Sequence, residues 1–199
     1  MAETESKKSR GRPKTLDRAR TLNLAMESYW EEGVHSISLN EICRRADVSK
    51  PGLYREFGGE DGLMVAVLEH YIATVFAPVV ELIQRDRPFA DVLNDVVEAI
   101  TQERDTPAGC MAAKMRSTAS GLGPLTSARL KRFQEECVQI YEEWIERAKR
   151  RKEMSPAIAT KLAASYLDTQ LAMIVTQLAA GEDPVMIRAK AELAFRALK

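Results

Sequence analysis

The sequence predicts an all-α protein of about nine helices, with an N-terminal three-helix unit ahead of a larger C-terminal helical domain. Three observations carry that reading. Glycine and proline are sparse, at 10 and 8 in 199 residues, which favours helices. Apolar residues recur at three- and four-residue spacing. Helix-start signatures stand at Ser38 with Glu41, at Ser49 before Pro51, and at Ser155 before Pro156.

Residues 1–14 are polar and charged without apolar periodicity, and are expected to form a disordered basic arm. Seven basic residues lie between Ser6 and Arg20, against the single acid Asp17, on a chain whose net charge is zero. A locally basic end on a neutral protein is the electrostatic footprint of a nucleic-acid partner. Within it, Arg10-Gly11-Arg12-Pro13 is similar to arms that place a guanidinium in the narrow minor groove. A solubilising tail is the plainer alternative.

The first helix is expected over 16–32, with Leu22, Ala25, Met26 and Tyr29 inward, Trp30 packing in the core, and a Schellman stop at Gly33-Val34. Ser38 and Glu41 then form a capping box, and Ile37 and Ile42 a hydrophobic staple. Leu39, Ile42, Cys43 and Ala46 give the second helix its buried stripe. Asp47 stands where the chain must turn through positive φ, and Val48 plugs the corner. Ser49 caps a third helix held down by Leu53 and Phe57, leaving Lys50, Gly52, Tyr54 and Arg55 outward. Two capped helices joined by a short turn, over 38–57, match a helix-turn-helix, whose second helix enters the major groove; an ordinary helical hairpin is the competing reading.

Gly58-Gly59 breaks the chain, and a fourth helix is expected from Glu60 to about residue 85, kinked at Pro78. Further helices are expected over about 89–104, 110–119, 125–152, 155–181 and 184–198. The basic run 147–152 reads as cations at a helix C-terminus. The last two helices are apolar and rich in small residues, which suits close packing on more than one side.

The stretch A-D-V-S-K-P-G-L-Y-R-E-F-G-G-E-D-G-L resembles the signature of the TetR family of bacterial one-component regulators, A-G-V-S-K-G-x-L-Y-x-H-F-x-S-K-E-x-L. The match continues upstream through S-Y-W-E-E-G-V-H-S-I-S-L-N-E-I and covers about residues 15–72. The resemblance implies a DNA-binding domain over 15–72 and a ligand-binding and dimerisation domain over 73–199. Its DNA contacts are expected from Arg12, Lys14, Ser38, Arg45, Ser49, Lys50, Pro51, Gly52, Tyr54 and Arg55. It implies a homodimer through the last two helices, about 155–198, and a small-molecule effector, largely apolar, enclosed by the middle helices. Met111, Met115, Phe133, Tyr141, Trp144 and Tyr166 are the candidate pocket residues, soft and flat side chains that suit an apolar guest, although each could be plain core. Two positions depart from the pattern: Asp47 replaces the turn glycine, and Glu60 replaces a lysine that can touch a phosphate.

The expected function is therefore a dimeric, ligand-responsive regulator on double-stranded operator DNA, most simply a repressor released by its effector. A helical protein-interaction module without DNA binding is the alternative, as is a redox- or electrophile-sensing regulator acting through Cys110. No metalloprotease, nucleophile-elbow, P-loop or dinucleotide motif is present, so no catalytic residue, metal or cofactor is assigned. Cysteines at 43, 110 and 137 have neither disulfide-framework nor metal spacing, which fits the cytoplasm. No signal peptide or membrane-length apolar run is expected; the uncharged stretch 169–181 is too short.

Overall fold

The computed structural model describes residues 16–102 and 106–198. The basic arm, with Arg12 and Lys14, lies outside the described residues. Among those described, every regular element is helical.

Helix α1 (Arg18–Glu32) starts at Asp17, whose carboxylate accepts the Arg20 N–H at 3.0 Å. It does not end in the expected Schellman motif: Gly33 stands at φ 89°, ψ 148°, so the chain leaves extended instead of curling left-handed. In α2 (Leu39–Ala46) only half of the capping box forms. Ser38 Oγ accepts the Glu41 N–H at 3.2 Å, while the Glu41 carboxylate turns to Arg44 and Arg45. A guanidinium is a stronger partner for that carboxylate than a backbone amide. Asp47 takes the left-handed turn at φ 55°, as a short polar side chain can. Helix α3 (Lys50–Phe57) follows, with Ser49 Oγ accepting the Gly52 N–H at 3.1 Å.

The expected kink at Pro78 is a π-helical widening. Helix α4 (Glu60–Tyr71) passes through the π segment Ile72–Phe76 into α5 (Ala77–Ile83), where Pro78 occupies the first turn. Proline has no N–H to give and its ring crowds the carbonyl four residues back, so the ladder shifts by one residue, as in the Ala77 N–H to Ile72 carbonyl bond. The whole rod, Glu60–Ile83, has 24 residues, contains an 18-residue window of mean hydropathy 1.8, and is long and apolar enough to cross a membrane by length and composition, contrary to the sequence expectation. Here Leu63, Met64, Val67, Leu68 and Tyr71 are buried in the protein's own core.

Helices α6 (Phe89–Thr101), α7 (Met111–Ser117), α8 (Pro124–Arg150), α9 (Thr160–Ala179) and α10 (Pro184–Phe195) complete the main elements, with short 3-10 turns at Ala119–Gly121 and Arg196–Leu198. Helix α9 starts five residues later than the Ser155-Pro156 signature predicts; those residues form a turn, with Lys149 Nζ holding the Ile158 carbonyl at 2.6 Å and Thr160 Oγ1 at 2.9 Å. The basic run closes α8, with Arg147, Lys149 and Arg150 in its last turn, and it also ties the helix to a distant segment: Arg147 donates to the Ile83 carbonyl and Arg151 pairs with Asp86. Helix α4 packs against α1 and α3 on one side and α8 on the other, α8 runs along α9, and α10 covers α9 and α6. One continuous apolar cluster runs from Leu22 to Leu198.

Candidate nucleic-acid interface and effector cavity

The helix-turn-helix is held together from beneath. Leu53, fully buried, anchors α3, while Ile42, Ala46 and Val48 fill the corner. The turn after α3 is tight. A Cβ on Gly62 would overlap the Phe57 carbonyl, so only glycine lets the end of α3 pass so close to α4. With α3 pinned on its inner side, Lys50, Pro51, Tyr54 and Arg55 are exposed and Gly52 is half-buried. Lys50 Nζ stands 6.0 Å from the Tyr54 ring centroid. Ser38 and Ser49 are exposed, with their hydroxyls serving as helix caps.

Cations near this face divide into two sets. Arg18 pairs with Glu56 at 3.2 Å, and Arg44 with Glu41. Arg45 is clasped by both Glu32 and Glu41 and donates to Ser28 Oγ at 3.2 Å. The clasp holds the Glu41 carboxyl down at about 2, chiefly through the hydrogen bonds from Arg44 and Arg45. Arg45 is thus an internal tie between α1 and α2. Lys50 and Arg55, by contrast, enter no ion pair among the described residues. Glu60 is exposed in the first turn of α4, where it adds to the burial that pushes the Tyr29 phenol up.

A latch joins this unit to α7 and α8. Helix α8 begins at Gly123-Pro124, which supply no capping side chain. The cap comes from Asp61 in α4: its carboxylate accepts the Leu125 and Thr126 N–H groups at 2.9 Å each and Thr126 Oγ1 at 2.6 Å. Partial burial works to raise the Asp61 carboxyl, but these hydrogen bonds outweigh it and hold the group below its usual value. A Cβ on Gly123 would overlap that carboxylate. Beside it, His35 Nε2 donates to the Thr118 carbonyl at 2.7 Å, and Lys114 Nζ to the Trp30 carbonyl at 2.9 Å. From the sequence, Asp61 has no assigned role; the start of α8 at Gly123-Pro124, without a capping side chain, is the signal that a cap must arrive from elsewhere.

Behind the latch lies a cavity of about 380 Å³. Phe76, Phe133 and Tyr141 are among its apolar wall, and Asp168, Glu182 and Arg116 bring the charges. Of the expected pocket residues, Phe133 and Tyr141 line it. Met111, Met115, Trp144 and Tyr166 do not: the first three are buried core, Trp144 packing on Phe89 at 4.7 Å, and Tyr166 donates to the Ala194 carbonyl at 2.8 Å. Trp30, read as core, lines the cavity as well as being buried, and Tyr71 meets its ring edge-on at 5.1 Å. Cys110 and Cys137 also line it. Helical spacing places a residue on an inward face; it does not say which inward residues meet a void.

Among the described residues no group of three metal-ligating side chains occurs. Residues 22–67 match the family described as bacterial regulatory proteins, tetR family. The chain is 36% identical over 118 residues to the HTH-type transcriptional repressor ComR of Escherichia coli K12, covering 57% of this chain and 56% of that one. It is 27% identical over 100 residues to the HTH-type transcriptional repressor BdcR of the same organism, covering 50% and 51%. The chain thus spans about half the length of these two curated relatives. A structure of the TetR family transcriptional regulator CifR, a cysteine mutant complexed with 26-bp double-strand operator DNA, superposes at a TM-score of 0.82 with 20% identity, covering 95% of this chain and 100% of that one. At that identity the likeness speaks for the fold. The helix-turn-helix region, residues 22–67, thus matches the tetR family model, and the all-α fold around it is like that of solved TetR-family regulators.

Proposed function

We propose that this protein is a dimeric, effector-responsive transcriptional regulator of the bacterial cytoplasm, most simply a repressor, that reads double-stranded operator DNA with α3. The observation that carries the reading is the division of cations: Arg18, Arg44 and Arg45 are neutralised by glutamates, while Lys50 and Arg55 on the exposed face of α3 enter no ion pair among the described residues. Unpaired cations beside an exposed Tyr54 suit a surface that meets phosphates and base edges. We assign Lys50 and Arg55 to phosphates, Pro51, Gly52 and Tyr54 to the groove, and the helix N-termini at Ser38 and Ser49 to the flanking backbone; Arg45 stays out of the contact set.

A single helix-turn-helix reads too short a site to be selective, and paired half-sites about 34–36 Å apart require two copies. The apolar side chains that would bring two copies together are present. Leu162 and Met173 on α9, and Val185, Met186 and Leu193 on α10, are between 49% and 68% exposed. ComR and BdcR are repressors by name, which agrees with repression here. The cavity, with its largely apolar wall, supports reading it as the effector site.

The test is fluorescence anisotropy of the full chain on DNA from upstream of its own gene across a salt series. Affinity is expected to fall steeply with salt, each lost phosphate contact flattening the log–log slope by about 0.9. Salt-independent or absent binding would overturn the reading. Paired Val185→Glu and Leu193→Glu substitutions are expected to yield monomers by sedimentation and to abolish operator binding while keeping the helical spectrum.

A further inference from the structure

The effector cavity carries two charges of opposite sign that do not meet. Arg116 on α7 and Asp168 on α9 both line it and are both half-buried, and neither enters an ion pair among the described residues. Gln134 of α8 stands between them. Its carboxamide oxygen accepts from Arg116 Nη1, and its Nε2 donates to Asp168 Oδ2 at 3.0 Å. The reverse orientation of that amide would set N–H against the guanidinium and oxygen against the carboxylate, so the charges dictate which end faces which. The chain thus answers this pair of charges with a carboxamide of its own.

Binding capacity remains on both groups. A guanidinium has five N–H donors and a carboxylate two oxygens, and beyond Gln134 neither residue makes a further hydrogen bond among the described residues. Both charges are felt inside the chamber. Burial first, then Asp168, pushes the Cys137 thiol up to about 12, while Arg116 pulls the other way. The Tyr141 phenol, also raised chiefly by burial, responds to the two charges in the same opposed senses. Cys137 and Tyr141 are themselves part of the wall. Elsewhere that wall is largely aromatic and aliphatic, with Phe76 and Phe133 edge-to-face at 4.8 Å, which suits a flat apolar body.

The two charges set what a guest's head group must offer. A carboxylate would satisfy Arg116 and bring a like charge to Asp168; a cation would do the reverse. A ketone would leave Asp168 without a donor. A carboxamide offers an acceptor and a donor side by side, as Gln134 does. We propose that the effector is a small aromatic molecule with a carboxamide-type head, an amide or lactam whose oxygen accepts from Arg116 and whose N–H donates to Asp168. The proposal rests on the reading of the cavity as the effector site. Both bonds are charge-assisted, and a guest that lacks one half of the head leaves a half-buried charge unanswered.

The test compares four naphthalenes substituted at the same carbon: the carboxamide, the methyl ketone, the amidinium and the carboxylate. They share size and shape and differ in what the head donates and accepts. Each is titrated into the full-length protein by isothermal calorimetry. The carboxamide is expected to bind about tenfold or more tightly than each of the others. Asp168→Asn, which keeps the shape, is expected to close most of the gap between carboxamide and ketone. Arg116→Met is expected to close the gap between carboxamide and amidinium. Circular-dichroism melts show whether each variant folds, and the wild-type series decides alone if one does not. Operator affinity in saturating carboxamide is expected to drop about tenfold, within the usual range for coupled sites. Equal binding of any of the three analogues by wild type, an unchanged carboxamide-to-ketone ratio in folded Asp168→Asn, or full operator affinity at saturation would each overturn the proposal. Ligand-free protein titrated with operator in parallel separates the two claims: if it binds operator while the carboxamide has no advantage, only this inference falls; if it never binds operator, the regulator reading falls.

Discussion

The recognition unit and the cavity region are built from the same kind of helix, yet they are stabilised in opposite ways. In the recognition unit most partners are close in sequence: Ser38 caps Glu41, Ser49 caps Gly52, and Glu41 holds Arg44 and Arg45. Around the cavity the partners are far apart: Tyr71 reaches Cys110, and Arg116 reaches Gln134, which in turn donates to Asp168 at 3.0 Å. Local bonds make a rigid platform that presents a fixed face. Long-range bonds around a void make a structure that an inserted molecule can rearrange. A rigid reader coupled to a deformable chamber is what a ligand-switched regulator needs.

The contrast is tested first where the expected effect is largest. Leu53→Ala removes the anchor beneath α3, at a site with no room to spare, and is expected to cost about 2–5 kcal/mol in chemical denaturation and to abolish operator binding. Next come the two classes of cation. Arg45→Ala is expected to lower the melting temperature slightly and to leave the salt slope of DNA binding unchanged. Lys50→Ala is expected to do the reverse, leaving the melt within about 0.5 kcal/mol while flattening that slope by about 0.9. Equal slopes for the two variants would erase the distinction between tie and contact.

The latch has a pH signature. Because Asp61 is held below its unfolded value, its contribution is present above the unfolded carboxylate value near 3.9 and is lost as pH falls through the folded one. Asp61→Asn is therefore expected to lower the melting temperature at neutral pH, with the gap to wild type closing as pH falls below about 4. A gap independent of pH would show that the carboxylate charge is not what caps α8. The smallest effect belongs to the cavity wall: Val175→Ala, at a site already open on one side, is expected to cost about 1 kcal/mol or less. A loss as large as that of Leu53→Ala would mean that the chamber wall is as tightly packed as the platform.

The same contrast explains what could be read in advance. The caps, the left-handed turn at Asp47 and the buried side of α3 follow from residues within a few positions of one another, where the chemistry of one side chain decides. The expected wall residues Met111, Met115, Trp144 and Tyr166 were inward on their helices but not against the void, because a cavity arises from how several helices fail to meet. The half-formed capping box and the internal role of Arg45 had the same origin: a carboxylate with two guanidiniums in reach does not choose the weaker local amide.

By itself the sequence determined the helical class, the platform and its outward face, since period, caps and turn chemistry are local and leave few alternatives. Only the tertiary structure decided that Asp61 caps α8, that Gly62 and Gly123 sit where no Cβ fits, that Pro78 is absorbed by a π turn, and that two thiols and two phenols share one chamber. Each of these depends on the approach of segments distant in sequence, and that approach is set by packing of the whole core, which no short window of residues contains.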